Sequence, residues 1–91
     1  QVLKAQSLGL QGDACIELQN YKEAASLYKK AVDASENSLT APFYMKKLGM
    51  AYEKLGDNAK ALDVYKEIQA SYGSSMEARD IQKYIGRLEQ L

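Results

Sequence analysis

The side chains able to do chemistry in this sequence are few and scattered. Cys15 is the only thiol, and the chain contains no histidine. A Ser-His-Asp or Cys-His unit needs an imidazole as general base, so nucleophilic catalysis of that kind is excluded. Structural zinc needs about four Cys or His ligands, which this composition cannot supply. Cys15 has no adjacent cation to lower its pKa. It sits on an apolar helical stripe, so it reads as a small core residue rather than a reactive thiol. A lone cysteine makes no internal disulfide, which leaves the redox compartment open. Asp57, Asp63 and Glu67 have helix-surface spacing suited to capping or i,i+4 pairing, and they converge with neither a base nor a metal ligand. No catalytic residue, metal or cofactor is expected, and the chain is read as non-enzymatic.

Seven tyrosines raise the question of stacking on bases. Lys plus Arg and Asp plus Glu each number 12, for a formal net charge of zero, whereas a nucleic-acid binder shows a basic excess. Tyr28, Tyr52, Tyr65 and Tyr84 fall on packing positions, so a core role prevails over base stacking. Lys29-Lys30 and Lys46-Lys47 read as solvated helix surface. No run of about 18 apolar residues offers a membrane span, and no signal peptide is visible. The chain begins at Gln1 rather than Met, as expected of a fragment or processed product. An absent anchor therefore says little about the parent protein.

The positioning elements are helical. A chain of 91 residues is one small domain that buries roughly 60–65% of its unfolded surface. Ala5, Leu8, Gly12, Cys15 and Ile16 follow three- and four-residue steps. Leu18-Gln19-Asn20 breaks the pattern, and Asn20 with Glu23 reads as a capping box. Ala24, Leu27, Tyr28, Ala31 and Val32 form the next stripe, followed by a polar loop at Ser35-Glu36-Asn37-Ser38. Thr40 is the expected cap of a third helix, with Pro42 in its first turn and Ala41, Met45, Leu48, Gly49 and Tyr52 as its stripe. Gly56 stops that helix and Asp57 caps the fourth, which carries Ala61, Leu62, Val64, Tyr65, Ile68 and Tyr72. Gly73 is the expected stop, and Ser74 with Glu77 the expected box opening a fifth helix. That helix carries Ile81, Tyr84, Ile85, Leu88 and Leu91. No period-2 segment stands out. The reading is all-α, with five helices of about 11–16 residues joined by short loops.

The chain also repeats itself. Gly12 and Gly49, Ala24 and Ala61, and Tyr28 and Tyr65 are each separated by 37 positions. The second unit reads Met45-x-x-Leu48-Gly49-x-x-Tyr52 and then Ala61-x-x-x-Tyr65. The first reads Leu8-x-x-Gln11-Gly12-x-x-Cys15 and then Ala24-x-x-x-Tyr28. This resembles the tetratricopeptide repeat (TPR) pattern. Gly and Ala let two antiparallel helices approach, and Tyr28, Tyr52 and Tyr65 are expected to fill the gap between one hairpin and the next. The sequence departs from that pattern in several places. Leu8 and Met45 stand where Trp is common, and Gln11 and Cys15 replace Leu and Tyr. The Pro that usually ends each repeat is missing, and the spacing exceeds the roughly 34 residues usual for the family, so the loop from Ser35 to Leu39 is about three residues longer. The resemblance implies a right-handed α-α superhelix: repeat one at about 5–38, repeat two at about 41–73, and a capping helix at about 75–91. Asn37 to Lys47 and Glu77 to Ile85 look like the C-terminal end of small Bacteroidetes TPR proteins. Those are similar in layout to the ancillary subunit of the bacterial secretion translocon. That likeness implies a soluble segment of an envelope-associated, periplasm-facing protein.

The same resemblance implies a concave binding face built from the first helix of each unit. Residues offset from the packing stripes are Gln6, Gly9, Asp13 and Glu17, then Phe43, Lys46, Met50 and Glu53, then Arg79, Gln82 and Glu89. Phe43 and Met50 lie seven residues apart with Lys46 between them, which suits a peptide groove; they equally suit packing against neighbouring helices or a missing part of the parent. Chaperone-binding TPR domains need Lys, Asn and Arg at positions that here hold Gly9, Asp13 and Met50, so no carboxylate clamp is expected. The expected partner is a protein or peptide, bound by an adaptor or scaffold, with Lys46, Asp13 and Glu53 setting charge preference. The alternative is a structural solenoid segment or a homodimer without a separate ligand, supported by Leu3, Leu10 and Leu18 off the main stripe.

Overall fold

The computed structural model of the protein describes residues 2–35 and 40–91. Five helices lie among them: α1 (Val2–Glu17), α2 (Tyr21–Ala34), α3 (Ala41–Lys54), α4 (Asn58–Ser71) and α5 (Met76–Glu89). Beyond Ser35, the polar loop and its three-residue extension fall outside the described residues, as does the side chain of Leu3. Each helix packs on the next in chain order, and α5 also returns to α3. The arrangement is the all-α stack of helical hairpins that the repeat implies.

The two turns inside the hairpins have the same backbone design. After α1, the N–H of Asn20 bonds the carbonyl of Cys15 and that of Gln19 bonds Ile16. After α3, Asp57 bonds Tyr52 and Gly56 bonds Glu53 in the same pattern. This paired closure is the Schellman motif and puts one residue in the left-handed region. That residue is Gly56, at φ 80°, in the second turn and Gln19, at φ 60°, in the first. The residues that follow, Asn20 and Asp57, cap α2 and α4 through Glu23 N–H and Lys60 N–H.

Three expected boundaries shift. Thr40 precedes α3 but makes no side-chain cap hydrogen bond, because its backbone is already helical (φ −95°, ψ −32°). The α5 cap is Ser75 rather than Ser74: its hydroxyl accepts from Ala78 N–H at 3.1 Å and donates to the Tyr72 carbonyl at 2.7 Å. At the end of α4, Tyr72 is the C-cap, and Gly73 is not in the left-handed region.

The core runs through the stack as three contiguous clusters. Ala5, Ala31 and Tyr44 form the first, and Ala24, Ala25, Tyr28, Leu48 and Ala51 the second. Met45, Ala61, Tyr65 and Ile68 join Ala78, Ile81, Ile85 and Leu88 of α5 in the third. Cys15 is half-buried against the second cluster. Tyr52 bridges the second and third, as a gap-filling residue should. Tyr28 and Tyr65 pack toward the helices that follow, beside Leu48 and Ala51 of α3 and Ile81 and Ile85 of α5, and each ring also closes its own hairpin. A Cβ on Gly12 would lie 2.6 Å from Tyr28, and one on Gly49 would lie 2.2 Å from Tyr65. Glycine at both positions is therefore a matter of space.

The 37-residue spacing continues to Gly86 in α5, which the sequence reading missed. A Cβ there would meet nothing within 4 Å among the described residues. Two predictions follow from these glycine sites. Gly49→Ala should cost about 1–3 kcal/mol by overpacking, whereas Gly86→Ala should be neutral or gain up to about 1 kcal/mol of helix propensity; urea unfolding of both variants separates them. By the same assay Gln19→Gly should stabilise by about 0.5–1 kcal/mol, through relief of left-handed strain.

Candidate partner-binding face

Helices α1, α3 and α5 are joined side by side by ion pairs. Lys47 Nζ donates to Asp13 Oδ1 and Oδ2 at 2.9 and 3.0 Å. Lys46 Nζ meets Asp80 Oδ2 at 3.2 Å, and Arg87 Nη2 meets Glu53 Oε1 at 2.8 Å. All three pairs join residues 34 positions apart. Equivalent positions are 37 apart, so neighbours across the layer are offset by three residues, close to one helical turn. Asp13 and Glu53 also accept the hydroxyls of Tyr28 and Tyr65, each at 2.5 Å. Each carboxylate thus ties the partner helix of its own hairpin to the first helix of the next. Aromatic faces complete the pattern: Lys47 lies 5.0 Å over Phe43, and Lys46 and Arg87 lie 5.4 and 5.7 Å from Tyr84. The pairs are partly solvated, so each contributes only about 0.2–1 kcal/mol.

The structure distributes the expected face residues unevenly. Phe43 and Met50 stand 45% and 44% exposed on α3, with Lys46 on the same helix. Asp13, Lys46 and Glu53 are engaged in the internal pairs just described. Gln6 and Glu17 are exposed on α1, Gln6 beside Ser7, Leu10, Gln11 and Ala14 on its outer edge. Gly9 is buried under the ring of Tyr44. Arg79 and Gln82 lie beside Gln69 and Gly73 rather than against α3, and Glu89 pairs with Lys66 of α4 at 3.0 Å. The α5 residues that reach α3 are Asp80, Tyr84 and Arg87. Sequence reasoning missed these together with Lys47. The signal was present: the 37-residue offset carries Phe43, Lys47 and Met50 onto Asp80, Tyr84 and Arg87.

The tyrosines inside this network are hard to ionise. Burial first, then the hydrogen bond to Asp13 and its charge, push the Tyr28 phenol above its ordinary range. Burial first, then Glu53, do the same to Tyr65. Tyr44 is raised by burial and by the charge of Asp13. Each of the Tyr28 and Tyr65 phenols keeps its proton as a donor to a carboxylate, Asp13 or Glu53.

The sequence profile of the tetratricopeptide repeat matches residues 4–74. The chain belongs to the tetratricopeptide repeat family. No curated protein and no solved structure matches it. TPR units generally mediate protein–protein interactions, and the family is typically non-catalytic. The matched segment ends before α5, which packs on α4 and reaches back to α3. Among the described residues, no helix is long and apolar enough to cross a membrane.

The raised tyrosines set an alkaline limit. The folded chain keeps phenolic protons that the unfolded chain releases above about pH 10. Their stabilising contribution is therefore complete below that pH and lost as pH rises beyond it. Phenolate absorbance should show Tyr28 and Tyr65 ionising only as helical circular dichroism is lost. A Tyr28→Phe, Tyr65→Phe double variant should be less stable at neutral pH yet fall less steeply on the alkaline side.

Proposed function

We propose that the chain is one TPR domain, two hairpins closed by α5, that holds a protein or peptide partner against the α1–α3–α5 face as an adaptor or scaffold. The observation that carries this reading is the exposure of Phe43 and Met50 among charges that already have partners. The two are seven residues apart and share one side of α3, where they stay half in water instead of joining the core. Asp13, Lys46 and Glu53 are compensated by Lys47, Asp80 and Arg87. A segment laid across the face would gain apolar contact without stranding a charge. Phe43 and Met50 are the anchors, and Lys46 and Glu53 present their stems beside them. Gln6, Asp13 and Glu17 extend the surface on one side, and Arg79 and Gln82 stand at its far edge. The envelope-associated, periplasm-facing placement belongs to the same reading and rests on the Bacteroidetes resemblance alone.

A second reading is self-association along the outer edge of α1, where Leu10 and Leu18 are 63% and 79% exposed. Sedimentation over a range of concentrations tests it: a weight-average mass that stays monomeric removes it. For the first reading, a photo-reactive phenylalanine at Phe43 in the parent protein should capture a discrete partner from source extract. Met50→Arg should cut that capture at least about tenfold while leaving stability within about 0.5 kcal/mol, as expected of a surface change. No partner, or capture unaffected by Met50→Arg, would remove the α3 anchors from the function.

A further inference from the structure

A second surface lies between α2 and α4. Tyr52 and Leu55, at the end of α3, line it together with Ala25 and Ser26 of α2. Tyr52 is about 200° around α3 from Met50 at 3.6 residues per turn, so this cleft opens on the other side of the helix from the Phe43–Met50 anchors. Its apolar part is accessible: Leu55 is 44% exposed and Tyr52 is half-buried. The cleft exists because the lining residues of α2 are small. Ala25 and Ser26 correspond across the 37-residue repeat to Leu62 and Asp63 of α4.

The charge around this cleft is one-sided. Lys22, Lys29 and Lys60 line it against a single acid, Asp57. Asp57 is already committed, because it caps α4 through Lys60 N–H at 3.2 Å. Its other oxygen lies 3.8 Å from the Lys60 amine, a long contact between exposed groups. Lys60 also stands 5.8 Å over the ring of Tyr52. Lys22 and Lys29 are exposed and make no ion pair with any described residue. This contrasts with the α1–α3–α5 face, where lysine and arginine meet carboxylates in pairs. In a chain of zero net charge, three ammonium groups around an accessible leucine and tyrosine are a local excess with a defined complement.

We propose that the α2–α4 cleft is a second docking site, and that it takes an acidic peptide carrying one aromatic or large aliphatic side chain. The apolar side chain would lie against Leu55 and Tyr52, over Ala25 and Ser26. Carboxylates on either side would face Lys22, Lys29 and Lys60. An oligoanion without the apolar residue would gain only screened surface attraction.

The test uses the whole chain and a fluorescein-labelled peptide of Asp and Glu with one central Phe, read by anisotropy at low salt. Two control peptides replace the Phe by Ser, or every acid by Lys. A single-stranded oligonucleotide of matching charge serves as competitor. The Phe-containing acidic peptide should bind at least about tenfold more tightly than either control and lose affinity as salt rises. Charge reversal at two exposed sites, Lys22→Glu with Lys29→Glu, should weaken it at least about tenfold with helicity intact. Leu55→Ser should weaken it several-fold, while Met50→Arg should leave it unchanged, which separates failure of this site from failure of the α3 face. Equal binding of the Ser-containing peptide, equal competition by the oligonucleotide, no binding at all, or insensitivity to both sets of substitutions would each overturn the proposal.

Discussion

Tyr28 on Gly12 and Tyr65 on Gly49 set the distance between the two helices of each hairpin, and the layout of the rest follows from that distance. Each ring lies where a methyl group would collide with it, and Tyr65 is fully buried. A ring held so closely has only one way to satisfy its hydroxyl, toward a carboxylate on the first helix of its own hairpin. Asp13 and Glu53 supply those carboxylates. Each carboxylate also meets a cation from a later helix: Lys47 reaches both oxygens of Asp13, and Arg87 meets the Glu53 oxygen that Tyr65 does not use. One close approach thereby fixes a hairpin internally and in register with its neighbour. The buried ring provides most of the stabilisation, since apolar burial outweighs a half-solvated ion pair.

This arrangement shapes what the surface can offer. Six charges of the α1–α3–α5 layer, Asp13, Lys46, Lys47, Glu53, Asp80 and Arg87, are paired within the stack itself. Phe43 and Met50 stand exposed among these pairs, so the contact proposed for them would discriminate by shape more than by charge. The cleft between α2 and α4 has the opposite character, because Lys22 and Lys29 make no ion pair with any described residue. A chain with balanced charge overall thus carries two surfaces of different chemistry on two sides of α3.

Much of the fold was legible before the structure. Helical periodicity located all five helices. Asn20, Gly56 and Asp57 marked their turns, because a left-handed residue followed by a side-chain cap has few sequence solutions. The misses have physical causes. Gln19 occupies the same left-handed site as Gly56 without being glycine, so residue type gave no sign of the motif. Ser74 and Ser75 are both able to cap, and only backbone geometry chose Ser75. The binding-face reading was looser still. It had Asp13, Lys46 and Glu53 setting charge preference, and their ion-pair partners sit 34 residues away on other helices. It counted Arg79 and Gln82 on the face where the structure brings Asp80, Tyr84 and Arg87 against α3. A helix wheel gives an angle around one axis but not which neighbour lies across it.

By itself the sequence determined the helices, their turns, the all-α class and the repeat, because these depend on interactions within about one turn or on one period compared with itself. Its lack of histidine also leaves no imidazole in this sequence for a Ser-His-Asp or Cys-His unit. Only the tertiary structure decided which charges are paired, that Gly86 is the one repeat glycine without a ring on it, and that three lysines gather at Tyr52 and Leu55. Those outcomes depend on contacts between helices whose separation and stagger are set by how Tyr28 and Tyr65 seat against glycine, and no local pattern in the chain encodes that stagger.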